Sequence, residues 1–175
     1  MLRLIRTLNI LNAALWFGGA LFFTAVVGPA VFSPEVGSFL PRPQAGRLAL
    51  ILIERYFILQ YVCGGVALLC LLADWIWSGR IFPVGRASLL AGLLGFALVG
   101  GFAVQPRMRQ WHTEAYRQTP MTPEGTAALQ RFRKIHGITQ ASNLVLMAGM
   151  LWHLLLVSAP LRRPGPGGEW VEEDR

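Results

Sequence analysis

The chain has 175 residues, of which 54% are hydrophobic and 14% charged, and its mean hydropathy is +0.47. Soluble domains carry roughly 25% charged residues, so the composition argues against a soluble globular enzyme and against a disordered chain. The net charge of +7 does not indicate nucleic acid as a partner. Its basic residues lie between long apolar runs, where they report membrane topology.

A membrane-crossing helix needs about 20 consecutive apolar residues. Four stretches meet or approach this, at about 7–32, 56–77, 87–106 and 137–161. Together they predict an all-α fold, an integral membrane bundle of four helices filling residues 1–161 as one domain. Lipid cannot satisfy a free backbone, so helices are required. The first run is too long for a signal peptide and lacks a clean small-residue cleavage site. It reads as a retained helix, bent or ended near Pro29.

The first connection, from Ser33 to Arg55, holds Pro34, Pro41 and Pro43. From Gln44 the pattern turns helical, with Leu48, Ile51, Leu52 and Tyr56 on one stripe, so the second helix is expected to start near Gln44. The second connection, Ser78 to Arg86, is a short turn. Asp74 and Arg80 read as an ion pair at that helix end. The third connection, Arg107 to His136, is the longest. Within it Thr122, Pro123 and Glu124 form a helix start: an N-cap, a proline at N1 and an acid in the first turn. Ala128, Leu129, Phe132, Ile135 and His136 then make one stripe. The second, third and fourth helices therefore extend past the bilayer on one side. Residues 162–175, Pro- and Gly-rich and then acidic, read as a disordered tail.

Counted by side, nine Lys+Arg fall on the first and third connections and seven on the termini and second connection. This places both termini outside the cytoplasm of a cell (inner) membrane. Fifteen Arg to one Lys is the signature of a GC-rich, bacterial coding sequence.

Charges near hydrocarbon are costly and mark candidate sites. Glu54 and Arg55 stand where the second helix enters the membrane, Arg107 and Arg109 where the third leaves it, and His136 where the fourth enters. They predict an interfacial cluster, with Tyr56 and Asn143 nearby, for a lipid headgroup, an anion or a partner subunit. The small residues around Gly18-Gly19, Gly64-Gly65, Ala91 to Gly95 and Ala97 to Gly101 predict close helix packing. Such packing suits a homo-oligomer or a subunit of a larger membrane complex.

Metal chemistry has weaker candidates. Met147, Met150 and His153 recur along the fourth helix, and Cys63 and Cys70 share a face of the second. These donors suit Cu(I), but Met and Cys are also ordinary packing residues. The two cysteines sit about 10 Å apart along the axis, too far for a disulfide. A haem could sit in such a bundle. His136 and His153 are about 25 Å apart on one helix and cannot share its iron, and His112 falls in the extramembrane loop. No cofactor is expected, with haem or copper as the alternative. There is no nucleophile elbow, P-loop or paired carboxylate within a span, so no enzyme is expected.

Four segments, taken in order, carry a resemblance. They are Asn12 to Gly19 continuing through Gly28 to Phe32, Ala45-Gly46 with Glu54 to Phe57, Gln105 to Arg109, and Phe132 to Gly137 with Ser142 to Leu144. Together they resemble the transmembrane protein 205-like family, a four-helix membrane domain of unknown function. The resemblance covers roughly residues 7–158 and implies no defined reaction. A eukaryotic member is linked to resistance to a platinum drug, which fits transport of metal or drug cations, trafficking or membrane organisation alike. It singles out Trp16, Gly19, Pro29, Arg55, Tyr56, Pro106, Arg107, His136 and Asn143. The first helix is also similar to that of copper resistance D proteins and of a haem-bearing membrane protoporphyrinogen oxidase. Those relatives carry an early His where this chain has Asn9 and Asn12. The reading reached is a small multi-pass membrane protein acting as a binding, accessory or organising unit. Small-cation transport is its rival.

Overall fold

A computed structural model describes residues 1–79, 81–117, 122–159, 162–164 and 170–172. Four helical stretches are long and apolar enough to cross a membrane: Leu2–Gly37, Arg42–Ser78, Val84–Ala115 and Pro123–Ser158. The protein is an all-α, multi-pass membrane protein. Between 17% and 28% of each apolar window is buried inside the chain, so most of that apolar surface faces outward, as lipid requires.

The first span comprises α1 (Leu2–Phe22), a π-turn over Phe23–Val27 and α2 (Gly28–Val31). A short α3 (Pro34–Gly37) follows, capped by the Ser33 hydroxyl accepting from the Val36 amide at 3.3 Å. The second span is one helix, α4 (Arg42–Ser78), closed by Gly79 in the left-handed conformation, φ 64°. Glycine takes that conformation without steric cost. The third span is α5 (Val84–Val99), a π-turn over Gly100–Val104 and α6 (Gln105–Ala115). The fourth is α7 (Pro123–Ser158).

Pro29 and Pro106 each follow a π-turn: the first helix ends at Val31, close to Pro29 as expected, and the third runs on through Pro106 to Ala115, in line with its expected extension past the bilayer. A proline ring clashes with the carbonyl four residues back. That residue is Ala25 for Pro29 and Phe102 for Pro106, each the middle of a π-turn. In both turns an amide reaches five residues back, Gly28 to Phe23 and Gln105 to Gly100. The looser turn accommodates the ring, and the helix continues. The third connection consequently shrinks. It is helical to Ala115 and again from Pro123, where Thr122 Oγ1 accepts from the Gly125 amide at 3.2 Å. The predicted helix start at Thr122-Pro123-Glu124 is thus in place, and α4 starts two residues before Gln44.

The apolar stripe that marks the start of α4 is not its buried face. Leu48 and Ile51 are exposed, and the buried face is Ala45, Gly46 and Leu50. Ala45 and Gly46 on that face let a neighbouring helix approach closely.

The core joins α1, α4, α5 and α7 around Trp16, Ala20, Cys63, Ala67, Leu71, Leu90, Leu93 and Met150. Gly19 admits Leu59 to 2.8 Å of where its Cβ would stand, and Gly64 admits Leu94 and Trp16. Gly18, Gly65, Gly92 and Gly95 meet nothing within 4 Å, so these four do not pack helices within the chain as predicted. The Arg6 guanidinium donates to the Ala159 carbonyl at 2.7 Å, tying the ends of the first and fourth spans together. Arg80, the predicted partner of Asp74, lies outside the described residues. In the tail, where disorder is expected, the backbone of Arg162–Pro164 pairs antiparallel with Trp170–Glu172. Residues 165–169 and 173–175 lie outside the described residues.

Candidate functional site

Where the third span passes its π-turn, two consecutive glycines face α4. A Cβ on Gly100 would stand 2.9 Å from the Phe57 ring, and one on Gly101 would collide with the Tyr61 hydroxyl. Both rings therefore lie against bare backbone. Tyr61 stacks on Phe57 at 6.2 Å and on Phe102 at 5.6 Å between centroids. Beside them a groove of about 520 Å³ opens between α4 and the α5–α6 stretch, lined by Phe57, Ile58, Tyr61, Phe102, Gln105 and Pro106. Its polar end is made by Glu54, Arg109 and Gln110. Gln105 is buried and donates to the Leu50 carbonyl at 3.4 Å, holding α6 to α4.

The predicted interfacial cluster forms in part. Arg109 and Glu54 are an ion pair at 2.6 Å, each about half exposed. Among the described residues no hydrogen bond or ion pair joins Arg55, Arg107 or His136 to it. Successive helical residues point about 100° apart, so Arg55 turns away when Glu54 faces α6. Arg107 is exposed likewise. His136 belongs to another group: its ring stacks on Phe132 at 5.8 Å, and Phe132 meets His112 edge-on at 5.6 Å.

Asn143 and Tyr56, placed by the resemblance beside the interfacial cluster, meet each other deeper in the bundle. The Tyr56 hydroxyl donates to Asn143 Oδ1 at 3.1 Å, and Asn143 Nδ2 donates to Thr24 Oγ1 at 2.8 Å. Tyr56 also stacks on Phe23 at 4.5 Å. One amide thus binds the first, second and fourth spans beside the first π-turn.

His112 is the residue the sequence misplaces. It is not in a loop but inside α6, buried, with its ring against Gly46 in the space a Cβ would take. The Ala45-Gly46 pair was the available signal, since only a side-chain-free position lets an imidazole approach so closely. The structure also buries Asn9, Gln60 and His153, with Trp16 Nε1 donating to Gln60 Oε1. Asn12 Nδ2 donates to the Cys63 carbonyl at 2.9 Å.

The metal candidates fall in two places. Cys63 and Met150 join the core cluster around Trp16, and the Trp16 indole meets the His153 ring edge-on at 6.4 Å. The Met147 sulfur faces Asn143 Nδ2 at 3.7 Å. Both cysteines are free. Among the described residues no three His, Cys, Asp or Glu are grouped to hold a metal ion.

The family model of a domain of unknown function, DUF4149, matches residues 11–117. The chain belongs to the DUF4149 family. The matched stretch takes in the first span from residue 11 onward, the second and third spans, both π-turns and the groove, and stops before α7. DUF4149 thus names a membrane domain of unknown function here. Its match does not itself link the chain to the transmembrane protein 205-like or copper resistance D proteins. No curated protein and no solved structure matches the chain.

Proposed function

We propose that this protein is a non-catalytic membrane unit that holds a phospholipid in the groove between its second and third spans. The observation that carries the reading is the joining of an apolar, aromatic-lined groove to a half-exposed pair of opposite charges at its end. Its volume of about 520 Å³ falls within the range typical of ligand sites, about 300–1,000 Å³. Arg109 would take the phosphate through its planar fork, and Glu54 would take an ammonium headgroup. Phe57, Ile58, Tyr61 and Phe102 would lie along an acyl chain, each buried CH₂ contributing about 0.8 kcal/mol. The exposed Arg55 and Arg107 add attraction for the anionic leaflet of about 1 kcal/mol each. With the basic-residue count favouring that side as cytoplasmic, the groove opens to the inner leaflet of a cell membrane. The open glycines Gly18, Gly65, Gly92 and Gly95 support contact with a second copy or a partner subunit.

The test is the lipid retained by the purified chain. Arg109→Ala should lower co-purified phospholipid several-fold while the helical content survives. Ile58→Trp, a larger side chain on the exposed wall of the groove, should do the same. Unchanged lipid in both variants overturns the reading.

A further inference from the structure

The end of the bundle away from the groove carries a second unsatisfied feature. α5 begins at Val84 with Pro83 as N-cap; no side chain caps it and its first turn holds no acid. Arg86 stands in that turn. A cation there opposes the helix dipole, whose positive end favours an anion. Arg86 is half-buried, and its Nε is buried without a hydrogen-bond partner. Among the described residues no acid forms an ion pair with it.

Other elements bring unpartnered polar atoms to the same end. His153 is 1% exposed, and neither ring nitrogen has a partner. Gly149 lies against Leu89 and Leu93, so α5 and α7 pass antiparallel there. Arg86, one turn before Leu89, comes level with His153, one turn after Gly149. Trp16 closes one side, edge-on to His153. Its N–H engages Gln60 Oε1, which fixes the amide so that Gln60 Nε2 is the free end, buried and unpartnered. Asn9, two turns before Trp16 on the buried face of α1, adds an unpartnered Oδ1.

Buried polar groups in folded proteins are nearly always partnered, by protein, water or an ion. Here the free groups include two donors, the Arg86 Nε–H and a His153 N–H. The one fixed charge is positive. A metal cation would be repelled by Arg86, whereas an anion would be attracted by it. We propose that Arg86 and His153, walled by Trp16, form a binding site for a small monovalent anion of the halide or carboxylate class. The site is independent of the lipid groove.

Trp16 supplies the readout. The full chain in nanodiscs, at constant ionic strength, is titrated with iodide, and the emission of Trp16→Phe is subtracted to isolate Trp16 among the six Trp. The Trp16 component should quench saturably. Arg86→Gln should raise the half-saturating iodide concentration tenfold or more. Displacement by chloride alone identifies a halide site, and displacement by formate a carboxylate site. The unaltered protein gives a second reading that needs no variant: chloride in place of gluconate should raise its thermal midpoint saturably. Linear quenching unchanged in Arg86→Gln, or equal midpoints in chloride and gluconate, overturns the proposal and leaves water as the occupant.

Discussion

Replacing Asn143 by Leu keeps the volume and removes one amide that three spans share. Two interhelical hydrogen bonds disappear, Tyr56 OH to Oδ1 at 3.1 Å and Nδ2 to Thr24 Oγ1 at 2.8 Å. Inside membranes such bonds average about 0.6 kcal/mol and reach about 1.7, so the pair contributes about 1–3 kcal/mol. The two orphaned hydroxyls do not respond equally. Thr24 is helical and can turn to the carbonyl four residues back. Tyr56 is stacked on Phe23 and cannot turn without breaking that contact. The larger share of the loss therefore follows Tyr56. Tyr56→Phe alone should cost about 0.6–1.5 kcal/mol, and the double variant with Asn143→Leu should cost clearly less than the two singles together. Equilibrium unfolding in mixed micelles, with SDS as denaturant, reads these differences. A change below about 0.3 kcal/mol for Asn143→Leu, or additive costs in the double variant, would refute the assignment of Asn143 as the tie between spans.

Other substitutions follow from the close approaches. Gly46→Ala should displace the His112 ring and destabilise by about 1–3 kcal/mol, the cost of overpacking, measurable in the same unfolding assay. Gly101→Ala should cost a similar amount by driving Tyr61 off the α5–α6 backbone; a stability equal to the unaltered chain would contradict the contact. Glu54→Gln should change stability by less than about 1 kcal/mol, because the pair with Arg109 is half exposed and such pairs are worth little, while lowering retention of ammonium-bearing phospholipid.

How much of this was legible in the sequence depends on whether the signal was local. The start of α7 at Thr122-Pro123-Glu124 is local chemistry, and it stands where expected. That the third helix outlasts its apolar run agrees with its expected extension past the bilayer, but the π-turn that lets it pass Pro106 was not readable. Nothing in Gly100 to Val104 announces that turn, apart from two glycines that also suit plain packing. On α4 the large apolar residues pointed the wrong way. Leu48 and Ile51 face outward while Ala45, Gly46 and Gln60 face inward, since hydrophobicity does not separate core from lipid. In the charged cluster, depth along the membrane was legible and azimuth was not. Glu54 finds Arg109, while Arg55 and Arg107, one and two residues away, point elsewhere. Asn9, Gln60 and Arg86 were missed because each gains meaning only once the register of α1, α4, α5 and α7 is known.

A lipid held between the second and third spans must lie against one wall of the bundle. A phosphatidylethanolamine with a photoactivatable group on its acyl chain can be reconstituted with the full chain, irradiated and mapped by peptide mass spectrometry. Crosslinks should concentrate on Phe57, Ile58, Tyr61 and Phe102, the apolar wall of the groove, and should fall several-fold in Arg109→Ala. Crosslinks spread evenly over the outward faces of all four spans, with the same pattern in Arg109→Ala, would contradict a lipid site between the second and third spans.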